Sequence, residues 1–360
     1  MLMPNHNGMH QELHTWKEIQ SQAEVWQEVL RLLKASPQAD SILERSSARD
    51  KWIFVGCGTS FYLAEAAALS WTGLTGNAAR AIPGSEVLLY PEVIRAEGDN
   101  VQAVVISRSG ATSEAVRAAN VLRRNLGIPT MGITCAENSA LEKECQDCLV
   151  LRAADEKSTV MTRSFTSMLI ALQFLAATRA GNATFIEQLA MVAQKFAPRV
   201  QSVAAQVEAF VETHSFADYV FLGQGAFHGI AREAALKVME MSCSYSQVFH
   251  TLEFRHGPKA IVSPATCLTF LLSEKGAKAE AEVLLEMKEL GGVIVTVCDR
   301  ASDNVKRASD LTIEMNFSVN ELALLSAHIV PAQLMGLFTG TRKGLNPDAP
   351  KNLNRVVMLD

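Results

Sequence analysis

The sequence predicts an α/β protein built from two similar halves, each a parallel sheet with helices on both faces. Three observations carry this. Short runs rich in Val, Ile, Leu and Thr alternate with helical patterns along most of the chain. The order strand, glycine turn, helix occurs at Phe54-Val55-Gly56-Cys57-Gly58 and again at Phe221-Leu222-Gly223-Gln224-Gly225. Each of these starts is followed by three more apolar runs and a long apolar helix. Strands alternating with helices imply crossover connections, and crossovers build parallel sheets covered on both sides.

The elements follow in order. Trp16–Leu33 reads as an amphipathic arm within an N-terminal helical region, 1–40. The first domain, 41–180, continues with VVIS (104–107), TMGIT (130–134) and CLVL (148–151) and closes on the helix Ser164–Thr178. In Asn182–His214, Leu189, Val192, Phe196, Val200, Val203, Val207 and Val211 fall at helical spacing. This predicts a linking helix over 181–213, with Pro198 as the point where it would break. The second domain, 214–340, continues with LTFLLS (268–273), VIVTV (293–297) and LTIEM (311–315) and closes on Asn320–Phe338. A polar tail fills 341–360.

Composition bounds the function. The 360 residues are 48% hydrophobic and 20% charged, enough apolar material for two cores. The net charge of −5 argues against a general nucleic-acid partner, because a phosphate backbone selects a basic surface. No uninterrupted apolar run approaches the ~20 residues of a membrane helix; Leu322–Phe338 is broken by His328, Pro331 and Gln333. The N-terminal stretch lacks the apolar centre of a signal peptide, so a cytoplasmic protein is expected. Cys145 and Cys148 have C-x-x-C spacing, but a zinc site needs a second such pair, so a structural role is expected. No His/Asp/Glu cluster has metal-ligand spacing, and neither a metal nor a cofactor is predicted.

Open α/β sheets take ligands beyond the carboxyl ends of their strands. There the loop Ser107-Arg108-Ser109-Gly110-Ala111-Thr112 offers three hydroxyls, a guanidinium, a glycine turn and the amides of a helix start. That set suits a phosphate dianion, whereas helix capping explains one hydroxyl. The matching loop of the second half, Ser273-Glu274-Lys275-Gly276-Ala277-Lys278, has one hydroxyl and an acidic residue, so one phosphate site per chain is expected. Gly56-x-Gly58 falls short of a dinucleotide fingerprint, whose sixth position is Gly or Ala and here is Phe61.

Glu233, Lys237 and Glu240 lie at i, i+4 and i+7, on one face of an apolar helix. Burial and like-charge coupling there can tune a carboxylate for proton transfer, although structural ion pairs have the same spacing. His256 precedes a Gly-Pro turn, where an imidazole titrates near neutrality if exposed.

With these residues in view, the chain resembles the tandem sugar isomerase (SIS) domain proteins. The resemblance is strongest to the isomerase half of glutamine–fructose-6-phosphate transaminase, the amino-sugar-phosphate deaminases and the tagatose-6-phosphate ketose/aldose isomerase-like proteins. It rests on CGTS (57–60), SRSGAT (107–112), TRSFTSML (162–169), AREAALKVMEMS (231–242), EFRHGPKAIV (253–262) and PKNLNRVV (350–357). The resemblance implies two flavodoxin-like αβα sandwiches. It implies phosphate binding by Ser60, Ser107, Arg108, Ser109 and Thr112, and substrate contacts from Cys57, Gly58, Thr59, Thr162 and Arg355. Glu240 would move the proton between C1 and C2, with Glu233 and Lys237 as partners. His256 would open the sugar ring, supplied across a homodimer.

Two departures matter. Ala111 stands where the transaminases have Glu. Arg355 stands where their tail has a lysine that can form an imine, which a guanidinium cannot. No glutaminase segment with a leading cysteine is present, so glutamine-driven amination is not expected. The expected function is aldose/ketose isomerisation, with or without loss of ammonia, of a hexose or amino-sugar 6-phosphate. The alternative is a sugar-phosphate sensor without turnover. Neither nucleic acid nor a membrane is an expected partner.

Overall fold

A computed structural model describes residues 9–359. Residues 1–8 of the N-terminal region 1–40, and with them part of the stretch read for a signal peptide, lie outside them, as does residue 360. The described chain forms two compact units: 9–22, 156–162 and 195–355 in one, and 23–155, 163–194 and 356–359 in the other.

The unit holding the first α/β domain contains α2 (Gln22–Lys34, from Ala23), α3 (Pro37–Arg45), β1 (Lys51–Gly56), α4 (Thr59–Thr75), β2 (Ala78–Pro83), α5 (Gly84–Leu89) and α6 (Pro91–Arg95). It continues through β3 (Val101–Ile106), α7 (Ser113–Asn120), β4 (Thr130–Thr134), α8 (Ala140–Glu144), β5 (Asp147–Val150), α9 (Arg163–Arg179) and most of α10 (Ala183–Phe196). Its five strands are all parallel, in the order β2-β1-β3-β4-β5. The central strands are apolar on both faces, and β3 is buried along its whole length. One face packs Ile53, Val55, Val101, Ala103 and Val105 against Ala115, Ala118 and Leu122 of the α7 side.

The other unit contains α1 (His14–Gln20), α11 (Val200–Thr213), β6 (Asp218–Gly223), α12 (Ala226–Ser242), β7 (Tyr245–His250), β8 (Thr266–Leu271), α13 (Ala277–Glu289), β9 (Val293–Cys298), α14 (Asp303–Ala308), β10 (Leu311–Glu314), α15 (Leu325–His328) and α16 (Val330–Arg342). Its parallel sheet runs β10-β9-β8-β6-β7, the same connectivity as the first. Val220, Leu222, Leu268, Phe270 and Ile294 pack against Val283, Leu284 and Met287 of α13.

The repeat extends to backbone angles. α4 and α12 each begin after a glycine in the same uncommon conformation, Gly58 at φ 55°, ψ −127° and Gly225 at φ 57°, ψ −131°. A side chain is disfavoured there, so glycine is what lets the strand turn directly into the helix. Both sheets have the 2-1-3-4-5 order of flavodoxin-like folds, and the connections diverge between β1 and β3 and between β6 and β8.

Two features differ from the sequence expectation, and a third follows it. β2 and β7 were not marked by apolar runs. Both are edge strands with one bonded neighbour, and their side chains alternate or are half-exposed. The linking segment breaks at the expected point, into two helices separated by a 3₁₀ turn at Ala197–Arg199 where Pro198 removes a helical donor. Finally, Glu321–Arg342 is a 22-residue helical stretch whose most apolar 18-residue window has a mean hydropathy of 1.5, long and apolar enough to cross a membrane, against the expectation that no run approaches that length. Since 94% of its most apolar window is buried within the protein, it is the core helix of its unit.

Candidate active site

In the first unit, the loops after β1 and β3 leave neighbouring strands at the point where the connections diverge. They carry Cys57 to Ser60 and Ser107 to Thr112. Ser60, Thr59, Ser107 and Arg108 are buried, and Ser109 and Thr112 are half-buried. The loop is pinned from one side. The Arg108 carbonyl accepts from Cys135 N (2.9 Å) and Thr134 Oγ1 (3.0 Å), and the Gly110 carbonyl accepts from Leu141 N (2.8 Å). Because a peptide unit is planar and trans, the Ser109 amide points opposite to the Arg108 carbonyl, away from β4. Within the turn, Gly110 N donates to the Ser107 carbonyl (3.1 Å) and Ala111 N to Ser109 Oγ (3.2 Å). Gly110 sits at φ 60°, and a Cβ there would collide with the side chain of Ser139. The loop is thus a rigid turn at the start of α7, whose helix dipole favours an anion.

Cys57 lies in the first of these loops, half-buried. Burial first, then the nearby Glu114, pushes its thiol up to about 11, against the Gly84 amide, which lowers it. A thiol so placed stays protonated at neutral pH and is a poor nucleophile. Cys145 and Cys148 are both buried. Burial raises both thiols, Cys145 to about 12, which fits the structural role expected of the pair.

One neighbour of the loop was not legible in the sequence. Residues 357–359 lie along the start of α7. Ser113 N donates to the Val357 carbonyl (3.2 Å), Leu359 N to Ser113 Oγ (3.0 Å) and Arg117 to the Leu359 carbonyl (3.1 Å). Nothing in the spacing of the tail signals this.

In the second unit, α12 presents Glu233, Lys237 and Glu240 along one face. Lys237 Nζ lies 2.5 Å from Glu240 Oε2 and 3.3 Å from Glu233 Oε1. Lys237 and Glu233 have no solvent exposure, and the Glu240 side chain keeps 17%. Burial alone would push the Lys237 ammonium down; the two carboxylates outweigh it and hold it above its ordinary value. α16 packs along α12 by close backbone approach. A Cβ on Gly336 would stand 2.8 Å from the Lys237 carbonyl, which fixes the helix at the residue carrying the ammonium.

His256 is exposed, in the turn after the 3₁₀ residues Glu253–Arg255. Among the described residues no hydrogen bond or ion pair links its ring to Glu233, Lys237 or Glu240. Thr162 is fully buried, and both its amide and hydroxyl donate to Glu156 Oε1 at 2.7 Å. Its polar groups are thus engaged in holding the segment 156–162, which Glu18 also grips through the Lys157 amide at 2.5 Å. Arg355 is exposed.

The SIS domain model matches residues 46–178 and 218–337. The chain belongs to the SIS-domain family. It is 28% identical to a glutamine–fructose-6-phosphate aminotransferase (isomerizing) of Pyrobaculum aerophilum over 87% of this chain and 52% of that protein. The chain therefore spans about half the length of that aminotransferase. It is also 28% identical to a protein named as a candidate D-galactosamine-6-phosphate deaminase of Streptomyces coelicolor, over 96% of this chain and 94% of that one. Among solved structures, glucosamine-6-phosphate deaminase of Thermotoga maritima superposes with a TM-score of 0.75 at 28% identity, covering 96% of this chain and all of that one. The tagatose-6-phosphate ketose/aldose isomerase of Escherichia coli shares the fold, with a TM-score of 0.84 at 22% identity over 95% and 96% of the two chains. The relatives of this SIS protein are thus named as sugar-phosphate isomerases and deaminases.

Proposed function

We propose that this SIS protein is a cytoplasmic isomerase, or deaminating isomerase, of a hexose or amino-sugar 6-phosphate, working as a homodimer. The observation that carries the reading is the buried Lys237 held between Glu233 and Glu240. A sensor needs a phosphate loop but has no use for a buried charged triad with one carboxylate reaching solvent.

In this reading the first domain, 41–180, holds the phosphate through Ser60, Ser107, Arg108, Ser109 and Thr112, with Cys57, Gly58 and Thr59 lining the sugar. The second, 214–340, supplies Glu240. On an open-chain aldose, Glu240 takes the C2 proton, the electron pair forms the C1–C2 double bond, and the aldehyde oxygen becomes an enediol oxygen. The C1 oxygen takes up a proton and the C2 hydroxyl gives one up, so that returning the first proton to C1 leaves a hydroxyl at C1 and the carbonyl at C2. On a 2-amino sugar the same transfer gives a C2 iminium, and water replaces ammonia there to give the ketose. Lys237 holds Glu240 in place through their ion pair, and a fixed phosphate supplies orientation. His256, exposed and unattached to the triad of its own chain, would open the ring in a neighbouring subunit's site. Arg355 would contact sugar oxygens without imine chemistry, and Thr162 would act through the backbone it holds.

The test is incubation with glucosamine-, galactosamine-, fructose- and tagatose-6-phosphate, following ammonia, isomer formation and deuterium uptake at C1 and C2 from D2O. Turnover with deuterium uptake supports the reading. Binding of these compounds without turnover or exchange would replace it with the sensor.

A further inference from the structure

The loop after β8 is the counterpart, in the second domain, of the loop after β3. It too leaves the sheet beside the divergence point and leads into a helix, α13. Its donors are already taken by two carboxylates of the same chain. Glu280 is fully buried; its Oε1 accepts from the Ser273 hydroxyl and the Ser273 amide (3.4 Å), and its Oε2 from Thr251 Oγ1 (3.5 Å). Glu321 Oε2 accepts from the Glu274 amide (2.7 Å) and the Lys275 amide (3.2 Å), and Lys275 Nζ stands 3.9 Å from its other oxygen. The Gly276 amide donates to Ser273 Oγ at 2.9 Å. Three successive backbone amides, two hydroxyls and an ammonium therefore converge on carboxylate oxygens, the donor set by which a strand-to-helix turn binds an oxyanion.

We infer that Glu280 and Glu321 are built-in occupants of a second oxyanion cradle and close it to phosphate. A buried carboxylate is retained where donors meet it, and these donors do. A phosphate brought to the same loop would lose those donors and face two negative charges. The chain accordingly takes one phosphomonoester instead of two. That count rests on the proposed phosphate site after β3; the closure of the second cradle does not.

The test is equilibrium dialysis against inorganic phosphate with the full chain. The double variant Glu280→Ala/Glu321→Ala is expected to bind one phosphate per chain more than the wild type, and to keep the extra one when Ser109→Ala is added. The isosteric Glu280→Gln/Glu321→Gln keeps the cradle filled and is expected to gain none. If the alanine pair is unfolded in phosphate-free buffer, added phosphate is expected to restore a cooperative melt at concentrations that leave the glutamine pair unchanged. A folded alanine pair with the wild-type count, or an unfolded one that phosphate does not rescue, would overturn the inference. A wild type that binds no phosphate sinks the reading of the first loop, while a rise from zero to one in the variant would still support this one.

Discussion

Lys237 Nζ sits 2.5 Å from Glu240 Oε2 in a position with no solvent exposure, and Glu240 is the member of the triad whose side chain reaches solvent. The lysine thus spends its charge on a carboxylate that a substrate can reach. Glu240→Gln removes the proposed base while keeping size and shape. Turnover is expected to fall by about 10²–10⁴-fold or more, with sugar-phosphate affinity within a few-fold of wild type. Steady-state kinetics beside isothermal titration check this; unchanged kcat would refute the assignment.

Lys237→Met should act on stability first. It removes the ammonium from beside the buried Glu233 carboxylate, a loss of about 3–5 kcal/mol. Urea denaturation at neutral pH measures it. The pH dependence has a definite sign. The folded value of Lys237 lies above its ordinary 10.5, so the stabilisation is complete below that pH and fades as pH rises through the folded value. Wild type should lose stability above about pH 10.5 with a slope that the variant lacks.

The central strands and the loops that carry the site were readable because burial on both faces forces a continuous apolar run, and because a glycine turn at a strand end has few other uses. β2 and β7 were not, since an edge strand alternates or stays polar and resembles a loop in composition. The triad's spacing was visible, but whether it was an exposed ion pair depended on how α12 is packed, which spacing does not encode. The second loop could be read as a poor phosphate cradle from its single hydroxyl. That Glu280, four positions beyond Gly276, folds back into it depends on side-chain placement that no pattern encodes. The hold of the tail on Ser113 is likewise a contact between distant segments.

Gly336→Ala tests whether α16 positions the triad. Alanine is the better helix former by about 1 kcal/mol, so an open site would gain stability. Here the new methyl would meet the Lys237 carbonyl at 2.8 Å, and backbone must shift. We expect a lower melting temperature and a fall in kcat larger than any change in KM.

Acid should destabilise the protein between pH 6.5 and 4. Burial lowers both His228 and His328 to about 4; in His228 the stacked His250 ring, 3.8 Å away, and Arg232 add to the effect. A depressed histidine binds its proton in the unfolded chain first, so stability is full above 6.5 and falls as pH drops toward 4. His228→Gln should flatten part of that slope in a pH series of denaturant melts, and an unchanged slope would contradict the account.

Ser109→Ala separates a ligand group from a structural cap. Ser109 Oγ accepts from the Ala111 amide at 3.2 Å, a local bond whose loss costs about 0.5–1.5 kcal/mol at most and leaves the pins on Arg108 and Gly110 in place. If the hydroxyl also meets a phosphate dianion, its removal costs a charge-assisted bond of about 1.5–3 kcal/mol, which is roughly a ten- to hundred-fold loss of affinity. The loss should be specific: phosphorylated sugars weaken, and the melting temperature without ligand moves by a few degrees at most. The converse pattern, a large drop in melting temperature with affinity preserved, would make the serine a cap and move the phosphate elsewhere.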